Sequence, residues 1–400
     1  MRIWTRIKDH PKTSLVVLAY VAFIALGMPD GVLGIAWPSI RAGFSIPLDA
    51  VGLLLAATVT GYLTTSFLSG PLTARLGVGK LLAASCAVTG AGLIGYTLVP
   101  AWWMMVVLGV AAGLGAGAID AGLNTYVAAH FGEGLMQWLH ASWGVGVTLG
   151  SVLMTLAVTG LNAWRVGYAV VGVFQLALGA CFVLTLPMWG RKDAPGGGEQ
   201  PKRLTEYKTP LGETLRRPSV WLSVLLFLLY TGCEASLGTW AYTLLVESRG
   251  THPWMAGLWT GSYWATFTVG RGVAGLYARR LGVELLMRCS LSAALLGAVL
   301  LWWNPASVAN LVAVALIGCA IAPIFPALIS GTSRRVGVRH AANTIGMQVA
   351  AGSLGMALIP GLVGILARRV SLEVVPVCLI VLLAGLSGLY ALAVKVGSRP

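Results

Sequence analysis

The chain alternates between apolar runs of about 20 residues and short polar intervals. A run of this length lets an α-helix cross about 30 Å of hydrocarbon. Six runs precede one longer polar interval and six follow it, so the pattern predicts an all-α integral membrane protein with twelve transmembrane helices in two six-helix bundles. The predicted helices occupy 14–38, 50–72, 80–100, 102–130, 135–161, 165–189, 219–246, 253–278, 284–303, 308–331, 341–367 and 374–395.

Three regions follow from this pattern: an amino-terminal bundle at 1–190, a central linker at 191–218 and a carboxy-terminal bundle at 219–400. The linker contains a flexible Pro-Gly-Gly-Gly stretch from Pro195. Thr209 and Pro210, followed by Glu213, predict the start of a short surface helix. We interpret the interval as a plain linker, with a regulatory site as the alternative.

The two halves of the sequence resemble each other. Asp30 lies behind Pro29 in an otherwise uncharged span, and Glu234 stands 204 residues later in a similar segment. The segment 70–78 matches 275–283 at an offset of 205, with a glycine, a basic residue and a turn glycine in both. One internal duplication explains both matches and predicts that the bundles are pseudo-symmetric.

Composition agrees with a membrane protein. The chain is 57% hydrophobic and only 10% charged, with a mean hydropathy of +0.82, whereas soluble domains carry roughly a quarter charged residues. All six cysteines fall inside apolar runs without ligand spacing, so we interpret them as packing residues. The net charge of +14 does not indicate nucleic acid, because the basic residues are scattered over short loops.

Those basic residues also predict the orientation. With the amino terminus inside, 21 Lys and Arg fall on cytoplasmic segments and five on outer loops. The positive-inside rule therefore places both termini in the cytoplasm. The first apolar run is long enough to span and lacks a cleavage site, so no cleavable signal peptide is predicted. We expect a monomer in a bacterial cytoplasmic membrane.

Three acids lie inside predicted spans: Asp30, Asp120 and Glu234. A charge within a membrane indicates function, because hydrocarbon tolerates it only beside a cavity or a partner. Asp120 and Asn124 share a helix face, next to glycines that allow another helix to approach closely. Two related halves that each carry an acid near mid-membrane are typical of a transporter, so we predict that the three acids couple transport to protons. For Asp120, an ion pair that holds helices together is the alternative.

The loop that begins at Gly70 carries a recognisable motif. It keeps Gly70, Arg75, Gly77 and Lys80, with Ala74 in place of an aspartate. With twelve helices in two groups of six, the chain resembles the major facilitator superfamily along almost its whole length. The resemblance implies a secondary transporter whose two halves rock about a central cavity.

Further motifs are similar to the fucose–proton symporter family within that superfamily. They are the acid of helix one at Asp30, Asp120 with Asn124-Thr125-Tyr126, the segment 139–146, Pro323 to Pro326, and the segment 346–351. In that family helices one and four adjoin the central cavity. The resemblance thus implies roles for Asp30 and Asp120.

Other polar and aromatic side chains in the spans are candidates for substrate binding, each with an alternative. The indoles of Trp143, Trp240 and Trp264 stack on a sugar or fill the core. Asn124 and Gln348 offer amides for hydroxyl recognition, and Asp30 is also a substrate ligand.

Two basic side chains in the spans complete the set. Arg271 pairs with Glu234 or Asp120, binds an anionic substrate, or extends to the surface, and we expect pairing. His140 either relays protons or is a hydrogen-bonded packing residue, which we favour.

The sequence contains no phosphate-binding glycine loop, no metal-ligand cluster and no nucleophile motif. We therefore predict no enzyme activity and no cofactor. The leading hypothesis is proton-coupled uptake of a small polyhydroxylated solute, a monosaccharide, with sodium still open as the ion. The alternatives are a proton-driven exporter of drugs or metabolites and a membrane receptor that does not transport.

The predicted orientation is testable with single cysteines in a background without the native ones. Cysteines at Gly197 and Arg334 should react only with reagents that enter the cell, and a cysteine at Asn304 should react with impermeant maleimide. Labelling of position 197 from outside sealed cells would contradict the topology.

Overall fold

The structure, a computed structural model, describes residues 11–130, 133–189 and 209–397, with side chains at 14–127, 138–189, 209–274 and 281–395. It contains long helices joined by short turns, and no strand occurs in these ranges. The first ten residues and most of the predicted linker, 190–208, lie outside the described residues.

The first six long helices occupy the amino-terminal half. They are α1 Pro11–Phe44, α2 Val51–Leu76, α3 Val78–Leu98, α4 Trp102–His130, α5 Glu133–Gly160 and α6 Trp164–Leu184. A 3₁₀ turn, Leu48–Ala50, precedes α2, and a short helix, Leu186–Trp189, follows α6.

The second half repeats this plan. The first helix, α7, is Pro218–Thr243 and continues into the π-helical turn Leu244–Ser248. The next two, α8 and α9, are the parts of Pro253–Trp303 before and after Gly282. They are followed by α10 Ser307–Ile321, α11 Val338–Arg369 and α12 Val374–Gly397. Three shorter helices are Leu211–Leu215, Ile324–Ser330 and Thr332–Val336. The first of these is the short helix predicted after Thr209.

Eleven helices in the described ranges are long and apolar enough to cross a membrane, and α8 completes the twelve-helix plan. The predicted all-α membrane fold is confirmed. The duplicated loop is visible in the backbone as well. Gly77 has φ 76° and ψ 155°, and Gly282 has φ 74° and ψ 156°. Because these angles favour glycine, the turn conserves its glycine in both halves of the chain.

The described residues form two compact units, one within Met1–Ile46 and Ala57–Gly196, the other within Pro47–Ala56 and Gly197–Pro400. The start of α2 thus belongs to the second unit, although the sequence groups it with the first bundle. Arg368 of α11 donates to Asp49 Oδ1 at 3.0 Å. A Cβ on Gly52 would lie 3.1 Å from the Gly361 Cα, so the two backbones are in close contact.

Within the first unit, apolar side chains of α1, α3, α4 and α6 pack into a shared core. Phe23 and Phe182 are among its fully buried members. Trp189, at the end of the short helix after α6, borders this core, with its ring 4.7 Å from that of Tyr126 and 5.5 Å from that of Phe182.

In the second unit, Arg249 links the end of α7 to Glu373, before α12, and to Asn310 in α10. Its side chain is 4% exposed and forms an ion pair of 2.6 Å with Glu373, which also accepts a hydrogen bond from Ser248. Arg249 donates to Asn310 Oδ1, and Asn310 donates to Asn304 Oδ1. The hydrogen bonds from Arg249 hold the pKa of the Glu373 carboxyl below its ordinary value.

We expect Glu373→Gln to lower the free energy of unfolding at pH 7 by about 1 kcal/mol, because a buried guanidinium loses its anion. The Glu373 side chain is 45% exposed, so solvent screening keeps the loss small. A lowered folded pKa contributes stability above the unfolded pKa, near 4.3, and that contribution is lost as the pH falls through the folded value.

Thermal unfolding of the purified protein from pH 7 to pH 3 tests this prediction. The difference in unfolding temperature between Glu373→Gln and the parent protein should narrow as the pH falls. The matched control is Glu284→Gln, which breaks an exposed i,i+4 pair with Arg288 and should cost at most about 0.5 kcal/mol. Equal losses in both variants, or a gap that does not narrow between pH 7 and pH 3, would contradict the role of Arg249.

Candidate functional site

In the first unit, α1 and α5 approach closely through glycines. A Cβ on Gly27 would lie 2.2 Å from the carbonyl oxygen of Trp143, and one on Gly31 would lie 1.9 Å from that of Val147. These distances are far below carbon–oxygen contact, so the packing requires residues without a Cβ. The close approach lets Trp143 Nε1 donate a hydrogen bond of 3.2 Å to Asp30 Oδ2.

Pro29, the residue before Asp30, leaves one backbone carbonyl of α1 without its helical hydrogen bond. Proline has no N–H, so the carbonyl oxygen of Ala25, four residues earlier, lacks its helical donor. Gln175 of α6 is fully buried and donates to this oxygen from Nε2 at 2.9 Å. Asp30 itself is exposed, although it lies in the interior of a 34-residue helix. Since lipid contact would be costly for an acid at this depth, we expect Asp30 to face water.

Glycines also bring α2 and α4 together. A Cβ on Gly113 would lie 2.0 Å from the Thr58 carbonyl oxygen, and one on Gly117 would lie 2.2 Å from that of Tyr62. The close approach predicted for this glycine face is therefore confirmed, with α2 as the partner. It places the Tyr62 hydroxyl in position to donate to Asp120 Oδ2 at 2.5 Å.

Asn124 donates a hydrogen bond from Nδ2 to the other carboxylate oxygen of Asp120, Oδ1, at 2.9 Å. In the part of the chain that the structure describes, no Lys or Arg pairs with Asp120 within 4.0 Å, and its electrostatic partner is His140. Tyr62 interacts electrostatically with both Asp30 and Asp120. We call Asp30, Tyr62, Asp120, Asn124 and Trp143 the amino-terminal acid cluster.

The second unit has a different arrangement around its acid. Glu234 in α7 is 6% exposed, and its main-chain oxygen accepts a hydrogen bond of 2.9 Å from the Tyr263 hydroxyl. Arg271 of α8 and the Tyr230 hydroxyl interact electrostatically with the Glu234 carboxyl. No ion pair within 4.0 Å joins Arg271 to Glu234 among the described side chains, so the pairing expected from the sequence occurs only at longer range.

Arg271 is held by aromatic rings and by a backbone carbonyl. Its guanidinium carbon lies 4.3 Å from the centre of the Phe267 ring and 6.0 Å from that of Phe325. Its Nε donates to the Ala322 carbonyl oxygen at 3.4 Å. Pro326 stands four residues after Ala322 and cannot donate to that oxygen, which explains why the carbonyl is available. We call Tyr230, Glu234, Tyr263, Phe267 and Arg271 the carboxy-terminal charge cluster.

Three predicted substrate ligands lie in the interior of the second unit. Trp240 is fully buried and donates from Nε1 to the Pro360 carbonyl oxygen at 3.0 Å, and Trp264 packs with its ring 4.6 Å from that of Tyr263. These positions agree with the core-filling alternative for both indoles.

Gln348 is also fully buried. Its Oε1 accepts from Thr332 at 3.0 Å, and its Nε2 donates to the Ser223 carbonyl oxygen at 3.5 Å. Arg335 donates to the same Thr332 hydroxyl and to the Ser223 hydroxyl, so Gln348 belongs to a buried structural network. Among the predicted ligands, Asp30, Asn124, Trp143 and Arg271 keep exposed or half-buried side chains.

Sequence reasoning did not identify Tyr62 or Tyr263, although a signal existed. Both tyrosines bond to an acidic residue, and they lie 201 residues apart. The same offset relates Thr65, which donates to the Leu114 carbonyl, to Thr266, which donates to the Ala315 carbonyl. A search for repeats at 201 as well as at 204 would have aligned these positions.

The geometry of the amino-terminal acid cluster suits proton exchange. Ionised Asp120 accepts from a hydroxyl and an amide, and once protonated it can donate to the same tyrosine oxygen. Both states of the carboxyl therefore keep hydrogen-bond partners. No group of three His, Cys, Asp or Glu side chains suited to a metal occurs within the described side chains.

Comparison with known proteins identifies relatives across most of the chain. A family model described as Major Facilitator Superfamily matches residues 19–360. Sodium-dependent glucose transporter 1A of Mus musculus is 23% identical over 348 residues, covering 78% of this chain and 80% of the relative. The glucose/mannose transporter GlcP of Bacillus subtilis (strain 168) is 23% identical over 321 residues, covering 78% and 77%.

Solved structures are similar in fold at lower identity. A bacterial homologue of the human lysosomal transporter Spinster, in an inward-facing and occupied conformation, superposes with a TM-score of 0.77 at 13% identity and covers 96% of this chain and 97% of its own. A variant of the nucleoside transporter NupG gives a TM-score of 0.76 at 14% identity, with 93% and 98% covered.

The amide side chains of Gln348 and Asn124 should differ in how much they contribute to the stability of the fold. Gln348→Ala removes a fully buried amide and leaves partners without a bond, so we expect the free energy of unfolding to fall by about 1–3 kcal/mol. Asn124→Ala removes a half-buried amide that water can replace, and should cost less than about 1 kcal/mol. Thermal unfolding in detergent measures both. A smaller loss for Gln348→Ala than for Asn124→Ala would contradict this assignment.

Proposed function

The chain belongs to the Major Facilitator Superfamily, and on this premise we propose that it takes up a monosaccharide together with protons. The observation that carries the proposal is the amino-terminal acid cluster, in which Asp120 is bonded to Tyr62 and Asn124 beside an exposed Asp30. The two relatives at 23% identity, a sodium-dependent glucose transporter and a glucose/mannose transporter, support a sugar as the substrate.

Asp120 is the proposed proton carrier. Its two hydrogen bonds come from neutral donors, and no described Lys or Arg lies within 4.0 Å to hold it ionised. A carboxyl in such surroundings can gain and lose a proton as the cavity opens to one side or the other. His140 interacts electrostatically with Asp120 and offers a second group for proton entry.

Asp30 and Trp143 are the proposed substrate ligands of this unit. The Trp143 N–H is bonded to Asp30 Oδ2, which orients the indole ring beside the carboxylate that we propose as the acceptor for a sugar hydroxyl. The face of the indole can stack on the apolar face of a sugar ring. Tyr62 interacts electrostatically with both acids, so substrate at Asp30 and the proton at Asp120 can influence each other.

Transport by alternating access requires the six-helix halves to rock about the binding site. We propose that the protein works as a monomer in a bacterial cytoplasmic membrane with both termini in the cytoplasm. The basic residues of the predicted cytoplasmic segments support this orientation.

Transport in reconstituted liposomes tests the assignment. Asp120→Asn should abolish sugar accumulation driven by a pH gradient and retain binding and sugar–sugar exchange, which need no net proton movement. Asp30→Asn should weaken sugar binding about 10-fold or more, because a charge-assisted hydrogen bond is lost. Tyr62→Phe keeps the ring and should slow accumulation more than exchange. Glu284→Gln, outside the cluster, is the control.

The outcomes separate the alternatives. Accumulation by Asp120→Asn against the gradient would remove Asp120 as the carrier. Accumulation that follows a sodium gradient and ignores pH would replace the proton by sodium. Sugar-driven proton release in the opposite direction would favour an exporter, and binding without flux would favour a receptor.

A further inference from the structure

Arg271 has surroundings that the proposed proton coupling does not use. It lies in α8, 18 residues after the first residue of that helix, and is half-buried. A guanidinium at such a depth is costly unless it faces a partner or an aqueous cavity. Its contacts fix its orientation, and the nearest described acid with which it interacts, Glu234, lies beyond 4.0 Å.

Three contacts hold the guanidinium plane. The Nε atom donates to the Ala322 carbonyl oxygen that Pro326 frees, at 3.4 Å. The rings of Phe267 and Phe325 lie 4.3 and 6.0 Å from the guanidinium carbon. Because Nε and one face are engaged, the remaining edge, formed by Nη1 and Nη2, points in a fixed direction.

That edge has no acceptor in the described part of the chain. Neither Nη1 nor Nη2 donates a hydrogen bond to a described residue, and Glu234 lies beyond 4.0 Å. Tyr230 contributes a second donor, because its side chain is 1% exposed and its hydroxyl makes no close hydrogen bond with a described residue, the Glu234 carboxyl interacting with it at longer range. The Tyr230 hydroxyl also interacts electrostatically with Arg271. A buried donor without an acceptor is rare in native proteins, so the Tyr230 hydroxyl, together with the half-buried guanidinium of Arg271, indicates a site for a ligand with acceptor oxygens.

We propose that Arg271 and Tyr230 bind a carboxylate of the substrate, so that the transported monosaccharide is a sugar acid. The proposal rests on the proposed sugar transport and narrows its substrate class. A planar guanidinium edge matches the two oxygens of a carboxylate, and charge-assisted bonds of this kind are about twice as strong as neutral ones. A hydroxymethyl group in the same place supplies neither the charge nor the second acceptor.

Glu234 adds a constraint to this site. When Glu234 is ionised it partly offsets the charge of Arg271, and when protonated it leaves that charge to the ligand. The other titratable groups that face Glu234 are Tyr230, Tyr263 and Cys233. Removing the charge of Glu234 therefore cannot weaken the attraction for an anion, and Glu234→Gln should bind a sugar acid at least as tightly as the parent.

Matched ligand pairs test the proposal with purified protein. Glucose and glucuronate, galactose and galacturonate, and mannose and mannuronate differ only in a hydroxymethyl or a carboxylate at the same carbon. Calorimetry should show that the acid of at least one pair binds about 10-fold or more tightly than its neutral partner. Arg271→Gln should abolish this preference, and Arg271→Lys should retain part of it.

Variants that keep the fold make the result decisive. Tyr230→Phe removes only a hydroxyl and should reduce the preference for the acid about threefold to tenfold. Arg288→Gln, which removes an exposed arginine outside the cluster, should leave the preference unchanged. A variant counts as folded when its elution profile and thermal transition match those of the parent.

The outcomes distinguish a failure of the carboxylate site from a failure of the proposed sugar transport. Neutral sugars that bind while their acids do not, or an acid preference that survives both Arg271→Gln and Tyr230→Phe, would overturn the carboxylate site and leave sugar transport standing. Loss of acid binding in a folded Glu234→Gln protein would also overturn it. Failure of every sugar and sugar acid to bind the folded parent protein would instead refute the proposed substrate class as a whole.

Discussion

The whole arrangement depends on one constraint, that a polar group inside a membrane protein must find a partner within the protein or face water. Two prolines make this constraint visible. Pro29 leaves the Ala25 carbonyl without its helical donor, and Gln175 supplies one. Pro326 leaves the Ala322 carbonyl in the same condition, and Arg271 supplies the donor. In both units a carbonyl that a proline leaves without its helical donor therefore anchors a polar side chain from another helix.

Close helix contacts then determine which side chains meet. Hydrophobic burial cannot hold transmembrane helices together as it does in water, because lipid is as apolar as the core. Glycines at α1–α5 and α2–α4 let backbones touch, and these contacts bring Trp143 to Asp30 and Tyr62 to Asp120. The hydrogen bonds of the amino-terminal acid cluster therefore depend on glycines, because the missing Cβ atoms let these helices approach each other.

Much of the fold could be predicted from the sequence because its signals are local. Apolar runs predict the helices, and the turn glycines Gly77 and Gly282 share one backbone conformation, as the duplication predicts. The shared face of Asp120 and Asn124 also follows from helical spacing. By contrast, the burial of Gln348 depends on contacts with Ser223 and Thr332 from other helices. Spacing within one helix carries no information about such partners.

The two units show how one duplicated scaffold can hold two different charge environments. Tyr62 and Tyr263 lie at equivalent positions, yet Tyr62 bonds to a carboxylate and Tyr263 to a main-chain oxygen. Asp120 in the first unit accepts its two hydrogen bonds from neutral donors, Tyr62 and Asn124. The acid of the second unit instead lies near a fixed cation, Arg271, which cannot lose its proton. Since that cation keeps its charge while a carboxyl such as Asp120 can gain or lose a proton, the two halves of the duplicated scaffold have diverged in the chemistry that they can offer a ligand.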